Sequence, residues 1–114
     1  MSEGVFASRR AEIAVDHPAF AGHFPGQPVL PGVALLAEVL EAALGEPALA
    51  ACIGSEPRLA VVKFLAPVGP GASLVIDFRL GARMLEWRVA DGARDVASGQ
   101  IARADIGAAA ATAP

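Results

Sequence analysis

The sequence predicts a single α+β domain, from the order in which its segments fall. A strand pattern comes first, then a proline-rich loop that is apolar rather than polar. A helix with apolar residues on most sides follows, and a run of alternating strand patterns closes the chain. A helix so apolar must be wrapped by something, and a curved antiparallel sheet is the partner the rest of the chain offers. The length, 114 residues, suits one domain with a modest core. Residues 1–106 are read as that domain, and the alanine-rich residues 107–114 as a frayed tail.

The first strand is expected over residues 5–15, where Ala11, Ile13 and Val15 alternate with Arg10, Glu12 and Ala14. Asp16-His17-Pro18 ends it, because proline lacks an amide donor. In residues 19–30, three glycine or proline interruptions after Gly22 forbid a regular helix or a central strand, yet Phe20, Phe24, Val29 and Leu30 call for burial. Such a loop is expensive to build unless its shape matters.

The helix is expected over residues 31–44. Pro31 suits its first turn, Gly45 is expected to stop it in the left-handed conformation, and Pro47 blocks continuation. Val33, Leu35, Leu36, Val39, Leu40 and Leu44 cover most of its directions, leaving Glu38 and Glu41 as a narrow polar stripe, so burial on most sides is expected. Strands are then expected over 59–65, 74–80, 84–89 and 96–103. Leu74, Ile76, Phe78 and Leu80 define one face of the second of these, and Asp91-Gly92 signals a hairpin.

Composition excludes several functions. The net charge is −3 and no basic run exceeds Arg9-Arg10, which argues against nucleic acid as a partner. No segment is long and apolar enough to cross a membrane. The first residues carry no charged-then-apolar leader pattern, and with a lone Cys52 unable to form an intrachain disulfide, a reduced cytoplasmic compartment is expected. Cys52 lacks zinc spacing and reads as a small buried hydrophobe. His17 and His23, six residues apart with no third ligand, do not make a metal site, and His17 reads as structural. An acidic carrier partner would need a basic patch, for which Arg9, Arg10, Lys63, Arg79, Arg83 and Arg88 are the candidates. So apolar a chain, with so few charges, is expected to hide surface in an oligomer.

Two motifs in sequence order carry a resemblance. Gly22-His23-Phe24-Pro25-Gly26, Pro28 and Pro31-Gly32-Val33 form the first; Val62-Lys63-Phe64-Leu65-Ala66-Pro67-Val68-Gly69-Pro70-Gly71 forms the second. Val96-Ala97-Ser98-Gly99-Gln100-Ile101 fits a shared last strand. With these the chain resembles the hydroxyacyl-(acyl carrier protein) dehydratases of the FabZ/FabA type and their aryl-polyene relatives. The resemblance implies a hotdog fold, an antiparallel sheet wrapped around one long helix. It also implies a dimer whose sheets run into each other, with an acyl tunnel at the interface and no cofactor. The histidine would come from one subunit and the acidic residue from the other's helix.

Dehydration of a 3-hydroxyacyl thioester removes a proton from C2 and hydroxide from C3. It calls for a base, an acid for the leaving oxygen, and donors for the thioester oxygen. The resemblance makes His23 the base, with an imidazole mostly neutral near pH 7. The Gly32 N–H, at a helix start, is the expected oxygen donor. Phe24, Pro31, Val33 and Ala37 are expected to line the substrate. The family's acid falls fourteen residues after the histidine, and there this chain carries Ala37. Glu38 is the substitute expected first, although one residue turns about 100° around a helix. Glu41 lies one turn beyond Ala37, at a position where the family often carries glutamine. Three functions follow: a dehydratase using a carrier or coenzyme A thioester, a non-catalytic acyl-binding subunit in a heterodimer, or a hotdog thioesterase.

Overall fold

A computed structural model describes residues 6–21 and 29–106. Strand β1 spans Ala7–Glu12 and a 3-10 turn spans Pro18–Phe20. Helix α1 is Gly32–Leu44 and a short helix α2 is Pro47–Ile53. Strands β2 (Leu59–Phe64), β3 (Ser73–Leu80), β4 (Met84–Asp91) and β5 (Arg94–Ala102) complete the chain. All five strands join one antiparallel sheet in the order β1-β3-β4-β5-β2.

The alternation read from the sequence is the alternation of the sheet. Leu74, Ile76 and Phe78 on β3 and Leu85, Trp87 and Val89 on β4 are all buried. They form the inner face together with Ala97 and Ile101 of β5. Leu35, Val39 and Ala43, spaced one helical turn apart, press α1 onto that face. Phe78 and Trp87, cross-strand neighbours in register, are both buried on this face. Among the described residues no polar or charged residue is buried.

Four expectations are corrected. Helix α1 does end at Leu44, but Gly45 is right-handed (φ −77°, ψ −9°), so no left-handed cap forms. Its N–H instead bonds the carbonyl of Glu41 at 2.9 Å. Pro47 does not merely block a helix: it opens α2 at the first-turn position, where its missing donor costs nothing. The first strand stops at Glu12, three residues short of the expected end. Ile13 is then held outside the ladder, donating to Ala72 O and accepting from Gly71 N. Helix α1 is also less covered than its composition suggested. Val33, Ala37, Glu41 and Leu44 make an exposed stripe, because one sheet covers only one side of a helix.

The end of β5 is tied down by Arg103. Its guanidinium makes two 2.9 Å bonds to the Asp105 carboxylate and donates to Gly81 O at 2.7 Å. That bonding holds the Asp105 carboxyl below the usual carboxylate range. Next to it, Ala104 N donates to Cys52 O at 2.6 Å, joining the sheet to α2. Cys52 is buried as expected, and burial pushes its thiol up. The alanine-rich tail, residues 107–114, lies outside the described residues.

Candidate active site

The described end of the first motif, Pro31-Gly32-Val33, meets the second motif at the start of α1. Pro31 is extended (φ −60°, ψ 149°), and its carbonyl accepts from the N–H groups of Ala34 and Leu35. No side chain caps the helix, and its first turn holds no acidic residue. Among the described residues no hydrogen bond takes the N–H of Gly32 or Val33. These donors, at the positive end of a thirteen-residue helix, suit an oxygen that gains negative charge.

Leu30 N donates to Val68 O at 2.8 Å, which stitches the helix start to the segment leaving β2. Between them opens an apolar cleft of about 480 Å³, lined by Val29, Leu30, Gly32 and Leu35 on one side and residues 64–68 on the other. Phe64 reaches across it. A β-carbon placed on Gly32 would lie 2.7 Å from the tip of the Phe64 ring, so only glycine lets the ring lie flat on the helix start. The ring is half exposed and has room to swing.

Of the expected site residues, His23 and Phe24 lie outside the described residues. Pro31 and Gly32 are half-buried and Gly32 lines the cleft, whereas Val33 is 76% exposed and does not line it. Ala37 lies on the exposed stripe. Glu38 sits on the flank of α1, with its Oε2 3.7 Å from Nε2 of His17. The same imidazole accepts from Ala19 N through Nδ1 at 3.0 Å and stacks edge-on against Phe20. Because Nδ1 is an acceptor, a neutral His17 carries its proton on Nε2, toward Glu38. His17 thus has the structural role expected of it: it caps the 3-10 turn and pins that turn to α1. Sequence reasoning did not foresee its link to Glu38, since nothing local signals a pair twenty-one residues apart.

On the opposite face of the sheet, Lys63, Arg79 and Arg88 line a shallow depression of about 280 Å³ with Asp77, Glu86, Ser98 and Gln100. Strand register assembles three of the six basic candidates there; Arg9 instead faces Glu46 at 3.7 Å. Ser8 holds Asp77 by a hydrogen bond. Among the described residues no group of three His, Cys, Asp or Glu side chains is placed to hold a metal ion, and no helix is long and apolar enough to cross a membrane.

A family model described as ApeI-like, ApeI dehydratase, matches residues 3–100. A FabZ 3-hydroxyacyl-[acyl-carrier-protein] dehydratase of Rhodopseudomonas palustris is 37% identical over 105 residues, covering 84% of this chain and 68% of that protein. One from Nitrobacter hamburgensis is 35% identical over 104 residues with the same coverage. The match to the FabZ of Thermomicrobium roseum is 34% identical over 60% of this chain, which spans about half (49%) of that relative. Among solved structures, the dehydratase heterocomplex ApeI:P from Xenorhabdus doucetiae superposes with a TM-score of 0.67 at 24% identity, covering 90% of this chain and 98% of that one. The fluoroacetyl-CoA thioesterase FlK superposes with a TM-score of 0.57 at 21% identity, covering 90% and 86%. At such identities these two likenesses establish the hotdog fold alone. With a family model spanning most of its length and FabZ relatives sharing over a third of the aligned residues, the chain belongs to the ApeI-like dehydratase family.

Proposed function

We propose that the chain is a (3R)-hydroxyacyl-carrier dehydratase-like protein that acts on 3-hydroxyacyl thioesters of a carrier protein or coenzyme A in fatty-acid or related polyene synthesis. One observation carries this reading: the end of the first motif and the second motif flank a helix start with no side-chain cap, at the edge of an apolar cleft. An apolar wall suits an acyl chain, and the N–H of Gly32 suits the thioester oxygen as the C2 proton leaves. His23 is assigned as the base that takes that proton. Phe24 and Pro31 are assigned to the substrate, with Val33 and Ala37 contributing from a neighbouring subunit.

The working form is proposed to be an oligomer in the cytoplasm. Strand β2 is one of the two edges of the sheet, and Val61, Phe64 and Leu65 on and beside it are about half exposed. An unpaired, apolar strand edge invites another strand. A second reading is a non-catalytic subunit of a heterodimer. It draws support from Ala37 at the expected acid position, from the flank placement of Glu38, and from a structural neighbour that is itself a heterocomplex. The test is conversion of a 3-hydroxyacyl thioester to the trans-2-enoyl product by wild-type protein and by His23→Ala. Product above the His23→Ala background supports the dehydratase. Its absence at high protein concentration leaves the binding subunit, and release of free thiol in its place would mark a thioesterase.

A further inference from the structure

We propose that the outer face of the sheet holds a site for a small soluble phosphate monoester, centred on Ser98 and built with Lys63, Arg88 and Gln100. The site is separate from the cleft and does not depend on the chemistry performed there. It follows from strand alternation, which sends neighbouring residues to opposite faces. Phe64 turns to the cleft, so Lys63 beside it turns outward. Ala97 and Ile101 are buried on the inner face, so Ser98 and Gln100 turn outward, as does Arg88 between buried Trp87 and Val89. The second motif and the last-strand motif therefore both carry side chains that the cleft does not use.

Register brings these residues together. Ser98 pairs with Arg88 of β4 on one side and with Lys63 of β2 on the other. At about 4.8 Å between strands, the two cations start roughly 10 Å apart with the small Ser98 hydroxyl between them. Two like charges over one hydroxyl stabilise nothing by themselves. The acids of the depression lie elsewhere, on β3 and β4. Ser8 donates to Asp77 from the β1 side, and Glu86 stands opposite Arg79 in the register. The half of the depression formed by β5 and β2 holds no acid. Among the described residues neither Lys63 nor Arg88 has an ion-pair or side-chain hydrogen-bond partner.

Charge, donors and size set the ligand class. Two cations call for a dianion, and a phosphate monoester carries a charge of about −1.5 to −2 at neutral pH. A carboxylate brings one charge for the two cations. Arginine grips two phosphate oxygens in a fork, lysine binds as a point charge, and Ser98 and Gln100 add neutral donors. The depression, about 280 Å³, is at the small end of ligand sites. It has room for a phosphate and the first atoms of the group that bears it, and falls far short of a protein interface. All four side chains stand on paired strands, which fix their spacing before the ligand arrives.

The experiment follows the backbone amide signals of the full chain by NMR during titration with inorganic phosphate, methyl phosphate and dimethyl phosphate, at constant ionic strength set with sodium chloride. Inorganic phosphate and methyl phosphate are expected to shift the amides around Lys63, Arg88 and Ser98 saturably, with a Kd of about 1–10 mM. Dimethyl phosphate, a monoanion, should bind about fivefold more weakly or worse. Lys63→Ala and Arg88→Ala should each weaken methyl phosphate by about fivefold or more, while Lys63→Arg keeps it within about twofold. Arg79→Ala, on the other half of the depression, should also stay within about twofold at this salt, and thermal melts confirm that every variant folds. No saturable shift with either dianion up to about 50 mM overturns the site. Binding that survives both alanine variants puts the phosphate elsewhere and overturns the assignment, and equal affinity for dimethyl phosphate overturns the dianion. A response to vesicles containing phosphatidic acid, with none to the soluble phosphates, makes the ligand a lipid headgroup and overturns the soluble source.

Discussion

Gly99→Ala tests how tightly the inner face of the sheet is packed. A β-carbon at Gly99 would strike Cζ2 of Trp87 and the carbonyl oxygen of Val61, and would lie 2.7 Å from Cε2 of Trp87. Neither obstacle yields easily. Trp87 is buried beside Phe78, and the Val61 carbonyl belongs to β2, which pairs with β5 at Val62 and Gly99. Ordinary contact begins at 3.4 Å, so ring and strand must both retreat by about 1 Å. Overpacking of this kind costs about 1–3 kcal/mol, offset by roughly 0.5–1 kcal/mol because alanine lowers the entropy of the unfolded chain. The net loss of about 1–2 kcal/mol should lower the melting temperature by about 4–16 °C and the urea midpoint by roughly 0.5–1 M. Gly69→Ala is the control: nothing lies within 4 Å of its added β-carbon, and its change should stay within about 0.5 kcal/mol. A Gly99→Ala protein as stable as that control would refute the packing argument.

Gly32→Ala should behave differently, because the group it strikes is the far end of the half-exposed Phe64 side chain. Stability should change by less than about 1 kcal/mol, while the displaced ring fills the cleft and weakens a non-hydrolysable acyl-thioester analogue by about tenfold or more; thermal melts measure the first and calorimetric titration the second, and unchanged affinity counts against the cleft as the acyl site. Asp105→Asn should flatten the acid side of the stability curve. The Asp105 carboxyl is held low by Arg103 in the folded protein, so its contribution is full above the ordinary carboxylate range and fades as pH falls through the folded value. Urea midpoints taken at neutral and at strongly acid pH should differ less in the variant than in wild type.

Much of the fold was legible because local rules and the tertiary structure agree. The alternation in Leu74–Leu80 and Leu85–Val89 reports a sheet with one buried face, and Asp91-Gly92 makes the hairpin, with Gly92 at φ 63°. Helix α2 was hidden because Pro47 is both a good helix stop and a good helix start, and only packing of Leu49 and Ile53 decides between them. The exposed stripe of α1 was hidden because Val33 and Leu44 look like Leu35 and Val39 in sequence. Which of them meets the sheet depends on where the sheet ends. For the site, the two motifs were readable, but their meeting at Gly32 and Phe64 was not. The Glu38–His17 contact likewise depends on how the 3-10 turn docks on α1.

Strand order also sets the sequence in which the chain can assemble. Strands β3, β4 and β5 are neighbours in both sequence and space, joined by short turns, so their meander can form by closing small loops. The outer strands cannot. β1 must find β3 across the whole helical region, and β2 must wait for β5, from which two other strands separate it in sequence. During synthesis the apolar segment around Phe64 therefore emerges well before the strand that will shelter it. The order that leaves β2 at the rim of the finished sheet also makes it the last strand to gain its neighbour, and the most exposed to wrong partners until it does.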